Sequence, residues 1–237
     1  MRVGIIGVGM TAFRPSTPEY SWKELMFEAA SRAYADAAID PRTDVDSFIT
    51  SAEDYYEGFG IFDEFVPDQL GAALRPTCTV TGDGLQGLAN AFMQIQTGLI
   101  EVAVVEAHSK ISDVLTLNGI IEHGLDPIWN KPLGFHPYVI AGLEAAAYLH
   151  VTKTSPRALA AVVSKNRRNG LKNPHAAYGA DVDTDQAMAS NLRFDPLRAL
   201  DVSNPADGGV VLVVASELAA KRLHGNPVWI RGVGWAS

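Results

Sequence analysis

The chain opens with Val3-Gly4-Ile5-Ile6-Gly7-Val8-Gly9, and a similar run, Val228-Trp229-Ile230-Arg231-Gly232-Val233-Gly234, comes near residue 237. Five of the seven aligned positions are identical. Each run is short, apolar and rich in β-branched residues, as expected of a buried strand that ends at glycine. A strand that recurs at this distance suggests two similar halves, of which the second has only begun by residue 237.

The composition limits the classes of partner. The 237 residues carry 19 Lys and Arg against 27 Asp and Glu, a formal net charge of −8. An acidic chain is not expected to take nucleic acid or an anionic membrane as its main partner. The single cysteine, Cys78, excludes an internal disulfide and fits a reducing compartment, so we expect a cytoplasmic protein. Neither a signal peptide nor a membrane span is predicted.

Strand-like and helix-like segments alternate along most of the chain. The predicted strands are 2–8, 46–51, 76–81, 101–107, 209–215 and 227–233. The predicted helices are 22–39, 66–73, 84–98, 138–153, 156–168 and 216–223, and 53–62 is predicted to be a loop. This alternation indicates an α/β fold with a mostly parallel sheet. Residues 108–200 interrupt it and are interpreted as a large insertion.

The run Gly7-Val8-Gly9-Met10-Thr11-Ala12 matches the dinucleotide-binding fingerprint. That site needs a helix to begin at the glycines, so that its N-terminus faces a pyrophosphate. Pro15 and Pro18 follow instead, and the first helix signal is the capping box of Ser21 and Glu24. We therefore interpret the glycines as a tight turn after the strand, and dinucleotide binding is the weakest functional hypothesis.

The segment from Thr77 to Leu88 carries the strongest functional signal. A predicted strand ends in Gly82-Asp83-Gly84 and a helix begins at once. The N–H groups of such a helix terminus could lower the pKa of a thiol or hold an oxyanion. Asp83 is equally a good N-cap, and in that interpretation the turn serves only the helix.

These motifs, in this order, resemble the thiolase superfamily, specifically its sterol-carrier-protein-thiolase-like and archaeal acetyl-CoA acetyltransferase branch. The Asp201–Gly209 block is similar to the family's D-x-S-P-x-S-D-G-A-A signature. The other matching pieces are Thr11-Ala12-Phe13, Gln96-Thr97-Gly98, Val102–Glu106, Pro196-Leu197 and Ala215-Ser216-Glu217.

The resemblance implies a division of the chain. The family has two similar β-α-β-α-β-α-β-β halves, the first carrying an inserted loop domain. Residues 1–107 and 201–226 would form the N-terminal half, 108–200 a mainly helical loop domain, and 227–237 the first strand of the C-terminal half. The family's catalytic histidine, second cysteine and substrate-orienting asparagine would then lie beyond residue 237.

The resemblance also assigns candidate catalytic residues. Thr81 falls where the family has its nucleophilic cysteine, followed by Gly82-Asp83-Gly84 at the turn. Cys78 lies three residues earlier, roughly 10 Å back along a strand, and is either a displaced nucleophile or a small buried apolar residue. His136, and with less support His108, is either a general base or a structural histidine.

Lys165, Arg167 and Arg168 form a basic cluster in an acidic chain. The resemblance implies that they grip the phosphates of coenzyme A, and a solvated helix face is the alternative. A coenzyme A thioester is the expected substrate, and neither a permanently bound cofactor nor a metal site is predicted.

The implied function is a subunit that binds acyl-CoA and makes or breaks a C–C bond next to the thioester, as an acyltransferase or by retro-aldol cleavage. A non-catalytic scaffold subunit of a hetero-oligomeric acyl-CoA enzyme is the alternative. The expected partners are a second copy or a chain that supplies the C-terminal half. A small zinc/OB-fold acyl-CoA-binding protein is a further expected partner.

Overall fold

The computed structural model describes residues 1–52, 66–115, 117–223 and 226–235, without the side chain of Asn118. The described chain divides into two compact units, Met1–Asp113 with Asp207–Ser237 and Val114–Ala206. The predicted loop at 53–62 lies outside the described residues. The division at 108, 201 and 227 that the family resemblance implied stays a prediction.

The described strands and helices follow the predicted alternation closely. The strands are β1 (Val3–Met10), β2 (Ser47–Ser51), β3 (Thr77–Val80), β4 (Val102–Ser109), β5 (Leu192–Phe194), β6 (Leu197–Arg198), β7 (Gly208–Ser216) and β8 (Val228–Trp229). The helices are α1 (Trp22–Ala37), α2 (Pro41–Asp44), α3 (Pro67–Leu70), α4 (Gly84–Gln96), α5 (Leu117–Ile121), α6 (Tyr138–Thr152), α7 (Pro156–Gly170), α8 (Thr184–Ala189) and α9 (Glu217–Leu223). The α/β class is confirmed, whereas β8 is shorter than the predicted 227–233.

The first unit is built on a six-stranded sheet in the order β3-β2-β4-β7-β1-β8. Only β2 runs parallel to its neighbours, β3 and β4, whereas the pairs β4–β7, β7–β1 and β1–β8 are antiparallel. The predicted mostly parallel sheet is therefore wrong. The physical reason is that Gly208 pairs with Ser109, so β7 starts beside the end of β4 and must run back along it.

Helix α1 covers one face of the sheet at very short range. Its predicted capping box is present, with Ser21 Oγ accepting the Glu24 N–H at 3.3 Å and Glu24 accepting the Ser21 N–H at 2.7 Å. A Cβ on Gly7 would lie 2.6 Å from the Ala33 carbonyl oxygen, and one on Gly9 would lie 2.0 Å from that of Ala29. Glycine is required here because the helix backbone touches the strand.

This contact corrects the interpretation of the glycine motif. Gly7 and Gly9 lie inside β1, which continues to Met10, so the predicted tight turn is wrong. The dinucleotide fingerprint also lacks the helix start that it needs, because α1 begins only at Trp22.

We expect Gly9→Ala to lower the free energy of unfolding by at least the roughly 1–3 kcal/mol typical of overpacking. The added methyl has no room, because it meets the backbone of α1 rather than a flexible side chain. Denaturant unfolding measures the effect. Gly119→Ala is the control, since nothing lies within 4 Å of a Cβ there, and an equal loss in both variants would contradict this account.

A buried ion pair closes the junction between β4 and β7. Asp207 is fully buried and accepts hydrogen bonds from Lys110 Nζ at 2.9 Å and from Thr17 Oγ1 at 2.8 Å. The backbone N–H groups of Thr17 and Ser112 and the Ser112 hydroxyl add bonds of 2.8, 2.9 and 2.7 Å. This carboxylate therefore ties three separate segments of the chain together.

Asp207 makes folding stability depend on pH at the acid end. Burial raises the pKa of this carboxyl, but the hydrogen bonds from Ser112, Lys110 and Thr17 outweigh it, and the pKa falls from 3.8 to about 2. The stabilisation is fully present above the unfolded pKa and is lost as the pH falls through the folded pKa.

We expect the free energy of unfolding of the wild type to fall by about 2 kcal/mol more between pH 4.5 and pH 2 than that of Asp207→Asn. The variant should also be less stable at neutral pH, because the buried Lys110 loses the nearer of its two carboxylate partners. Denaturant unfolding across this pH range tests both statements. Parallel acid profiles in the two proteins would contradict the assigned pKa.

The second unit is mainly helical, with the two-stranded hairpin of β5 and β6. Helices α7 and α8 pack together, and the Ser164 hydroxyl donates to the Val182 carbonyl at 2.7 Å. Gly142 lets α6 meet the hairpin, since a Cβ there would lie 2.6 Å from the Phe194 carbonyl oxygen. None of the helices that the structure describes has the length and apolarity needed to cross a bilayer.

Candidate functional site

A cavity of about 490 Å³ opens in the first unit where β2 and β4 end and where α4 and β7 begin. Its wall is largely apolar and includes Leu85, Leu88, Val105, Ala107, Val210 and Leu212. Gly82, Asp83 and Gly84 of the turn before α4 also line it. A mostly apolar pocket with a few polar groups is typical of a small-molecule site.

Asp83 caps the helix that borders this cavity. Its Oδ1 accepts the N–H groups of Leu85 at 2.9 Å and of Gln86 at 3.2 Å. The turn therefore contains the N-cap that the sequence predicted as the structural role of Asp83. The carboxylate also offsets the positive potential of the helix terminus. An additional role of the turn in holding an oxyanion stays a prediction.

Two glycines set the distance between α4 and the sheet, and a third shapes the turn before the helix. Gly82 has φ +127°, which favours glycine, and a Cβ there would lie 2.0 Å from Gln86 Oε1. A Cβ on Gly84 would lie 3.1 Å from that of Ala107, and one on Gly87 would lie 2.2 Å from Ser51 Oγ. The helix start thus rests directly on the ends of β2 and β4, which brings the turn to the cavity.

The two candidate nucleophiles lie outside the cavity wall. Cys78 is a half-buried residue of β3, paired with Ile49, and its Sγ lies 3.8 Å from Gln94 Nε2 of α4. Thr81 is exposed and follows the end of β3. Cys78 packs against a core cluster that includes Ala91, as the small apolar interpretation expects, and a nucleophilic role of either residue stays a prediction.

The candidate bases have structural partners. His136 belongs to the second unit, where its Nδ1 accepts the Tyr138 N–H at 3.2 Å and its ring stacks on Phe194 with centroids 5.1 Å apart. His108 borders the cavity, but its side chain is 1% exposed and stacks on Trp22 of α1. Its Nδ1 lies 2.9 Å from the buried Glu106 Oε1. A catalytic role for His136 stays a prediction.

The basic cluster on α7 is partly engaged within the second unit. Arg168 Nε donates to Asp181 Oδ1 at 2.8 Å, and Arg167 donates to the Tyr178 carbonyl at 3.1 Å. Both contacts tie α7 to the segment that follows it, whereas Lys165 is exposed to solvent. Coenzyme A binding by these residues stays a prediction.

The sequence reasoning missed Ser51, the last residue of β2. It lines the cavity and is only 3% exposed. The signal in the sequence was a small hydroxyl residue at the carboxyl end of a predicted strand. No group of three or more His, Cys, Asp or Glu side chains with metal-binding geometry occurs in the described part of the chain.

No protein-family model matches the chain, but several known proteins are similar to it. An acetyl-CoA acetyltransferase of Methanothermobacter thermautotrophicus is 25% identical over 242 residues, which cover 99% of this chain and 62% of that protein. A 17-hydroxy-3-oxo-4-pregnene-20-carboxyl-CoA lyase of Mycobacterium tuberculosis is 27% identical over 97% of this chain and 61% of its own length.

The solved structure of an Ltp2-ChsH2(DUF35) aldolase superposes with a TM-score of 0.75 at 26% identity, covering 95% of this chain and 58% of that one. The chain thus spans about three fifths of the length of the proteins that it matches. Similarity along nearly the whole chain, together with the same mixed α/β architecture, confirms the resemblance read from the motifs. The chain is therefore similar, in sequence and in fold, to proteins of the thiolase superfamily along nearly its whole length.

Proposed function

We propose that this chain is part of an enzyme that binds an acyl-CoA and makes or breaks the C–C bond next to the thioester carbonyl. The observation that carries the proposal is the apolar cavity at the ends of β2 and β4, bordered by the start of α4. It suits an acyl group in volume and in lining. The relatives named as acetyltransferase, lyase and aldolase support the same class of reaction.

We favour retro-aldol cleavage over acyl transfer through a cysteine. In retro-aldol cleavage the hydroxyl on C3 of the acyl group loses its proton and becomes a carbonyl as the C2–C3 bond breaks. The electron pair stays on C2, stabilised by the thioester as an enolate, until C2 is protonated. This route needs a base and no nucleophile, which agrees with Cys78 and Thr81 lying outside the cavity wall.

Acyl transfer would require a thiolate beside the thioester. Cys78 is half-buried among the side chains under α4, and Asp83 places a carboxylate at the helix start that would otherwise favour a thiolate. These two features weigh against the acetyltransferase reaction, which remains the second form of the proposal. The base that retro-aldol cleavage needs is proposed to come from His136 or from a partner.

We also propose that the chain works in an oligomer. Among the strands that the structure describes, β3 is at the edge of the sheet, so one side of its backbone faces away from β2. An open edge of this kind accepts a further strand. A second copy, a chain that carries the C-terminal half, and a zinc/OB-fold acyl-CoA-binding protein are the proposed partners. The Ltp2-ChsH2(DUF35) aldolase is an assembly of two named components, which supports this idea.

The same features support a non-catalytic scaffold as the second candidate function. The capped helix start and the packed Cys78 are what a subunit without its own nucleophile would have. A scaffold of this kind would bind its partner through β3 without binding coenzyme A.

We expect the purified chain, with any partner that co-purifies, to bind acetyl-CoA with a dissociation constant in the micromolar range by calorimetry. If α7 holds the phosphates, Lys165→Glu should weaken this binding several-fold through charge repulsion. Arg157→Glu is the matched control, because Arg157 is an exposed residue of the same helix paired with Asp185 at 2.6 Å. Equal affinities in both variants would reject the assignment of α7, and no binding by the wild type would favour the scaffold.

After incubation with acetyl-CoA, mass spectrometry should find no acetyl group on Cys78. The thiol is half-buried and outside the cavity wall, so a thioester in the cavity would not meet it. The denatured protein is the control, since its Cys78 should react with a thiol reagent. An acetyl adduct on Cys78 in the folded protein would overturn the retro-aldol preference in favour of acyl transfer.

A further inference from the structure

Ser51 lines the cavity, and its unsatisfied hydroxyl is buried beside Gly87 of α4. It is 3% exposed, and its Oγ has no hydrogen-bond partner among the residues that the structure describes. The Ser51 side chain packs against Gly87, a position at which α4 has no side chain. A Cβ on Gly87 would come within 2.2 Å of the Ser51 oxygen. The α4 start and this buried hydroxyl therefore meet at the same cavity.

A buried hydroxyl without a partner is unfavourable by about 1–3 kcal/mol. Alanine would fill much of the same space without that penalty, and nearby side chains such as Val105 and Leu88 offer no acceptor or donor. An oxygen of a bound molecule can supply the missing partner once rotation about χ1 turns the hydroxyl from Gly87 to the cavity. The cavity therefore fits a mostly apolar ligand that carries one polar group near Ser51.

The proposed chemistry identifies that polar group. In both reactions the bond that breaks joins C2 to C3 of the acyl chain, and C3 leaves as the carbon of a carbonyl group. The substrate therefore carries an oxygen on C3, as a hydroxyl in retro-aldol cleavage or as a ketone in acyl transfer. An acyl chain without that oxygen cannot be cleaved by either reaction.

We propose that Ser51 is a positioning and specificity residue whose hydroxyl hydrogen-bonds to the C3 oxygen of the bound acyl group. This proposal rests on the proposed function. The bond would orient C3 at the turn of Gly82 and Gly84 and would favour 3-hydroxyacyl and 3-oxoacyl thioesters over unsubstituted ones. The apolar wall of the cavity would contact the carbon chain beyond C3.

The test compares two thioesters that differ only in this oxygen, 3-hydroxyhexanoyl-CoA and hexanoyl-CoA, by calorimetry on the protein with its co-purifying partner. The wild type should bind the hydroxy compound more tightly. Ser51→Ala should weaken that binding about 2- to 10-fold, as expected for one neutral hydrogen bond. It should leave hexanoyl-CoA binding unchanged and should not lower the melting temperature.

Thr50→Val is the matched control. Thr50 precedes Ser51 on β2, faces the opposite side of the sheet, is fully buried and likewise has no partner for its hydroxyl among the described residues. It should leave both affinities as in the wild type. The role of Ser51 would be overturned, and the proposed function left standing, by either of two results. One is an equal effect of Ser51→Ala on the two thioesters, and the other is a loss of the preference for 3-hydroxyhexanoyl-CoA in Thr50→Val. Failure of the wild type to bind either thioester would reject the proposed function and this role with it.

Discussion

The antiparallel pairing of β4 with β7 is the constraint on which the first unit depends. Ser109 pairs with Gly208, so the chain leaves the sheet at the end of β4 and returns beside that point at the start of β7. Asp207 stands at the return point, buried with Lys110 and bonded to Thr17 and Ser112. Because a buried carboxylate is tolerated only with full hydrogen bonding, this cluster fixes where β7 begins.

The cavity follows from that junction and from close backbone contacts. Glycines at 84 and 87 let the start of α4 rest on the ends of β2 and β4, and β7 supplies the remaining wall. Gly7 and Gly9 allow the same kind of close contact between α1 and the other face of the sheet. What remains between these elements is an apolar space with few polar groups, and the Ser51 hydroxyl is one of them. The arrangement suits a reaction in which the protein orients a thioester substrate, and the capped start of α4 gives less support to a thiolate there.

Local signals predicted many of the elements well. The capping box of Ser21 and Glu24 and the Asp83 cap each depend on residues close in sequence. The Gly7 and Gly9 prediction failed because glycine serves both turns and close approaches, and only the position of α1 tells them apart. The prediction of a mostly parallel sheet failed at β7 for a similar reason. Alternating strands and helices do not reveal whether a long connection crosses the sheet.

The sequence by itself determined the α/β class, the helix caps and the family resemblance, because these depend on local patterns and on motifs that keep their order along the chain. The tertiary structure alone decided that Asp207 and Lys110 pair, that Cys78 packs under α4 and that Ser51 meets the cavity. Each of these depends on segments far apart in the chain, such as 17 with 207 and 51 with 87. The physical reason is that burial and the loss of water are properties of the packed fold, and they turn an ordinary serine at a strand end into an unsatisfied group.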